Sequence, residues 1–118
     1  MVEGSMDSGG LQLSEVSIAR AIVAAVRSVP GVADVSPGRF AEAATYGPGE
    51  KVRGVVVGRA VDVLDIEVHL CALYADSLVL PELAARVRSA VRQSVEAHGV
   101  GLLRRIDVAF DDLRVEEA

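Results

Sequence analysis

The chain has 118 residues, a formal net charge of −5, no tryptophan and one cysteine. That length fits one domain with a core large enough to fold unaided, while a lone cysteine excludes a disulfide framework or a Cys-rich zinc site. No apolar run approaches the ~20 residues of a membrane-spanning helix, and an acidic chain without tryptophan lacks the clustered positive charge and stacking rings of a general nucleic-acid binder.

Twenty-one valines and 17 alanines dominate the hydrophobic residues. Stiff valines favour strands and alanines favour helices, so a mixed α and β domain is expected. Eleven of the 12 basic residues are arginine, with Lys51 the exception. Beside so much Ala, Val and Gly, this reads as a GC-rich genome rather than a guanidinium binding surface.

Residues 1–12 are rich in Gly, Ser and charge and read as a disordered leader, with no basic segment before an apolar run to mark a secretory signal. A single domain is expected over 13–113, followed by an acidic tail over 114–118. From Ser14 to Val29, Ile18, Ile22 and Val26 recur every four residues beside Ala19 and Val23, which is one helical face. Ser14 suits the N-cap, and Pro30 with Gly31 stops the helix. A short strand follows over 31–35.

Residues 36–50 hold Pro37, Gly38, Gly47, Pro48 and Gly49 and read as a long loop, with one helical turn near Phe40 and with Phe40 and Tyr46 pinning it to the core. Strands are expected over 51–60 and 61–74, joined by a hairpin near 58–62. In the second, Leu64, Ile66, Val68, Leu70 and Ala72 take one face, and Asp65, Glu67, His69 and Cys71 the other. Pro81 opens a second helix carrying Leu83, Ala84, Val87, Val91 and Val95 inward, and Gly99 ends it. A last strand over 103–113 turns Ile106, Val108 and Phe110 inward and Arg105, Asp107, Ala109 and Asp111 outward. The fold class is therefore α+β, a two-layer sandwich of order α-β-β-β-α-β. Two helices cover one face of a roughly four-stranded mixed sheet.

The other sheet face carries the best site candidates. Asp65, Glu67 and His69 project together at steps of about 6.8 Å, twice the strand rise. Carboxylates and imidazole suit a divalent cation, but alternate residues on one strand converge on an ion only with help from a neighbour such as Asp107 or Asp111. Alternating polar residues are also what any solvated sheet face shows, so no catalytic residue, cofactor or metal ligand is assigned. Cys71 near His69 has acidic rather than electropositive surroundings and reads as a packing residue. The glycines of residues 54–58 lie inside a strand pattern and lack a phosphate loop's lysine. Arg86, Arg88, Arg92, Arg104 and Arg105 form a basic concentration diluted by Glu82, Glu96 and Asp107.

Several short motifs resemble the alkaline-shock-protein family, the bacterial envelope stress response proteins. They are Ser14-Glu15-Val16 leading into an Ala/Ile-rich helix that ends Val29-Pro30-Gly31-Val32, the Asp65-Ile66 strand, and the Leu80-Pro81-Glu82-Leu83-Ala84 helix entry. Val91, Val95 and the Ile106-Asp107-Val108 final strand complete the match over about residues 13–113. The chain departs from the family in its Pro/Gly-rich residues 36–50 and its scarcity of lysine. The resemblance implies a small α+β domain without catalytic activity, cytoplasmic, gathered near the membrane through membrane-anchored partners. The expected function is accordingly a scaffold or interaction module, a homo-oligomer or a docking partner, without nucleic acid or direct membrane insertion. The alternative is a small metal- or ligand-binding domain using Asp65, Glu67 and His69.

Overall fold

The computed structural model describes residues 14–99 and 101–115. The leader expected over 1–12 and the tail residues 116–118 lie outside these.

The first helix, α1 (Glu15–Arg27), starts where the Ser14 hydroxyl accepts from the Ser17 amide at 3.1 Å. It buries Val16, Ile18, Ala19, Ile22, Val23 and Val26, the face that the four-residue spacing predicts. After it come β1 (Val32–Val35), β2 (Ala44–Gly47), β3 (Glu50–Arg53), β4 (Val55–Ala60) and β5 (Val63–Tyr74). The second helix, α2 (Leu80–His98), has Pro81 in its first turn, where a missing N–H leaves no helical bond unmade. It ends at Gly99, whose positive φ of 61° lets its amide reach Val95 O at 3.1 Å. The chain closes with β6 (Leu102–Val115).

β5 is the sheet's axis. β6 runs parallel to it along its whole length, from Val63 against Leu102 to Tyr74 against Val115. β4 and β1 share its other edge, both antiparallel, with Val55 opposite Val68 and Val35 opposite Leu70. The result is the expected mixed, four-stranded α+β sheet. Leu64, Ile66, Val68, Leu70 and Ala72 are all buried against the helices' Ile22, Val26, Leu83, Val87 and Val91. Each large apolar side chain so enclosed stabilises the fold by roughly 1.5–3 kcal/mol.

Residues 36–50 correct the expectation of a loop. Ala44–Gly47 pairs with Glu50–Arg53 as a hairpin around Pro48 and Gly49. There is no helical turn near Phe40, and neither aromatic pins the segment, since Phe40 is 94% and Tyr46 62% exposed. Ser36, Ala43, Ala44 and Thr45 are the residues buried there. The Thr45 hydroxyl donates to Val55 O at 2.6 Å and accepts from Val57 N at 3.1 Å, so the hairpin closes the outer edge of β4. The strand expected over 51–60 is in fact two, broken at Gly54. Arg114 and Val115, assigned to the tail, extend β6 instead.

Two bulges shape β6. Leu103 faces Leu64 and Arg105 faces Asp65, so Arg104 is an extra residue; Phe110 faces Leu70 and Asp112 faces Cys71, so Asp111 is another. A bulge places two successive residues on one side of a strand. Both extra side chains therefore join the sheet face that the helices leave uncovered.

Candidate functional site

The uncovered face is a surface of paired charges. Asp65 is gripped by Arg104, with Nε at 3.0 Å from Oδ1 and the second guanidinium nitrogen on Oδ2. This pair exists because the first bulge turns Arg104 outward. The guanidinium holds the Asp65 carboxyl below the usual carboxylate range. Asp107 engages Arg105 at 3.0 Å. Asp65 is thus directed away from Glu67 and His69, and the trio expected from β5 alone does not assemble.

Asp111 takes its place. His69 Nδ1 lies 2.9 Å from Asp111 Oδ2, and its Nε2 bonds Glu67 Oε2. The side chains of His69 and Asp111 are only 16% and 11% exposed, whereas that of Glu67 is 49% exposed. Burial disfavours the imidazolium, but the two carboxylate bonds outweigh it and raise the His69 pKa above its ordinary 6.5. The cation then donates from both ring nitrogens. An imidazole so held has neither nitrogen free as a base or ligand, and among the described residues no three His, Cys, Asp or Glu side chains are arranged to hold a metal ion.

Cys71 offers no nucleophile. Burial, then the Asp112 charge, pushes its thiol pKa up, with Arg114 opposing. His98 Nδ1 donates to Ser94 O, 2.8 Å away, in the last turn of α2.

The grooves of the molecule are open to solvent. One of about 170 Å³ is lined by Val56, Gly58, Asp65, Glu67, Arg105 and Asp107. A larger, open groove of about 480 Å³ lies between α1 and β3, lined by Arg20, Arg27, Lys51 and Arg53. Arg20 pairs with Glu50, Arg27 with Asp34 at 2.9 Å, and Lys51 with Glu42 at 2.8 Å. Arg53 lies 3.7 Å from the same Glu42. This basic groove is not visible in the sequence, because most of β3 falls inside the single strand expected over 51–60. Its only signal was the alternation of Lys51 and Arg53 around Val52.

No helix among the described residues is long and apolar enough to cross a membrane. No family model matches the sequence, and no curated protein matches it. Among solved structures, the chain is similar to a triply substituted MamM CTD at 12% identity, over 86% of this chain and 94% of that one, with a TM-score of 0.49. A nickel form of another MamM CTD variant gives 12% identity over 86% and 98%, with a TM-score of 0.49. A third variant gives 13% over 85% and 95%, with a TM-score of 0.48. At these values the likeness is one of outline only.

Proposed function

We propose that this chain is a non-enzymatic interaction module whose working surface is its uncovered sheet. It self-associates or docks on a membrane-anchored partner near the cell envelope, as the resemblance to the alkaline-shock proteins implies. One observation carries this reading: the ionisable groups of the open face are paired with one another rather than directed into a cleft. Paired charges suit a surface that meets a complementary protein, because they set register and partner choice without an enclosed site.

A second reading is favoured by one feature, the meeting of Glu67, His69 and Asp111. It makes that cluster a divalent-cation or small-ligand site, with Asp111 replacing Asp65. Engaging an ion there requires breaking at least one carboxylate–imidazole bond.

Light scattering over a wide concentration range, paired with calorimetric titration of zinc and manganese, separates the two. The expected result is a mass that rises with protein concentration and no metal heat beyond dilution. A strict monomer that binds metal tightly, and loses that binding in His69→Ala, overturns the interaction reading.

A further inference from the structure

We infer that the interaction proposed above includes a second copy of this chain, joined through β6 in an antiparallel, two-fold pairing centred on Val108. The inference rests on the interaction reading and names its partner and register.

The sheet has two outer edges with different fates. On one side the β2–β3 hairpin abuts β4, and Thr45 satisfies Val55 O and Val57 N. On the other, among the described residues, β6 has a single strand neighbour, β5. A strand of 14 residues with one unpaired edge presents a row of amides and carbonyls to any matching strand. Arg88 Nε donates to Ile106 O at 3.3 Å, from an exposed side chain that a partner strand can displace.

The sequence of β6 is complementary to its own reverse. Arg104 and Arg105 stand near its start, and Asp111 and Asp112 near its end. A two-fold axis through Val108 sets Arg104 against Asp112 of the second copy and Arg105 against its Asp111. It also sets Ile106 against Phe110, both on the helix side, and Asp107 against Ala109 on the open side. The bulges agree with the charges: the doubled pairs Arg104-Arg105 and Asp111-Asp112 lie equally far from Val108 and meet each other across the axis. Neighbouring registers fail. An axis through Asp107 places that carboxylate opposite itself, and one through Ala109 places Asp107 opposite Asp111. Like charges directly opposite destabilise a strand pair. In the isolated chain Arg105 pairs with Asp107 and Arg104 with Asp65, through guanidinium groups about two-thirds exposed, so both contacts are weak enough to exchange or to share with a second copy.

Sedimentation of the full chain tests this with Arg104→Glu, Asp112→Arg and the two combined. Each single reversal acts at two symmetric places and should weaken the dimer about tenfold. The double variant restores the opposite charges across the axis while the Arg104–Asp65 pair within each chain stays broken, so it should associate more tightly than either single variant. Thermal melting checks that each variant remains folded. In a Cys71→Ser background, Val108→Cys should form an intermolecular disulfide across the axis, since directly opposed residues lie within bridging distance. Ala60→Cys, on the far edge of the sheet, should not. A wild-type dimer indifferent to the reversals, or cross-linked only through Ala60→Cys, overturns the β6 pairing and leaves the interaction reading standing. A wild-type chain monomeric at every concentration overturns the β6 pairing and confines the interaction reading to a different protein partner.

Discussion

Gly54→Ala is expected to lower the unfolding free energy by about 3 kcal/mol, the sum of a strained backbone and an atomic overlap. Gly54 has a φ of +96°, and a Cβ built there would stand 2.5 Å from the Cβ of Val35. The overlap is with a rigid branch point, not a flexible end, so β1 must move to relieve it. The position is also a junction: the Gly54 amide donates to Ala43 O, and its carbonyl accepts from the His69 amide, each at 2.8 Å. Displacing it disturbs the hairpin, β1 and β5 at once. Urea unfolding of the variant measures the effect. A loss below about 1 kcal/mol, the size of an ordinary surface change, would show that this crossing is looser than described.

Asp111→Asn is expected to cost about 2 kcal/mol at pH 6, the scale of a partly buried hydrogen bond between charged groups. Its diagnostic is pH dependence. The folded His69 pKa lies above its unfolded value near 6.5, because its carboxylate bonds outweigh burial. Below pH 6.5 both states carry the proton and the stabilisation is complete. As pH rises from there through the raised folded value the proton is lost, and stability falls. The substitution removes one of the two carboxylates, so the slope above pH 6.5 should flatten. The His69 ring, followed by NMR, should titrate at a lower pH than in the wild type. An unchanged titration would mean that Asp111 does not hold the imidazole.

The elements with strong periodicity were legible in the sequence. Ile18, Ile22 and Val26 announced α1, and Leu64 through Ala72 announced β5, because burial on one side forces a regular spacing. What escaped was set by contacts distant in sequence. Ala44–Gly47 has the β-favouring Thr45 and Tyr46, but two prolines and three glycines nearby outweighed them. Its pairing with Glu50–Arg53 depends on the Pro48-Gly49 turn. Gly54 reads as lying inside one strand, when the close approach of Val35 makes it the break between two.

The same limit governed the open face. Glu67 and His69 were placed together correctly, since alternation along one strand fixes the face. Asp65 was grouped with them and belongs to Arg104. Simple alternation puts Arg104 on the helix side and gives Asp111 no reason to sit beside His69 in particular. Both positions follow from bulges, which arise from the pairing of β6 with β5 and leave no mark on β6 alone. Of the two neighbours that could help that strand's residues converge on an ion, Asp111 lies beside His69 and Asp107 turns to Arg105, and no metal-holding group forms among the described residues.

Hydrogen exchange read by mass spectrometry, compared between dilute and concentrated protein, tests most directly whether the uncovered sheet is where this chain meets another protein. In the isolated molecule the amides on the free edge of β6 face solvent and should exchange readily. Association should slow them over 102–115 as concentration rises, with α1 and α2 unchanged. Exchange that is identical at every concentration in a chain that light scattering shows to associate, or protection that appears on the helices while the sheet stays unchanged, would contradict the account.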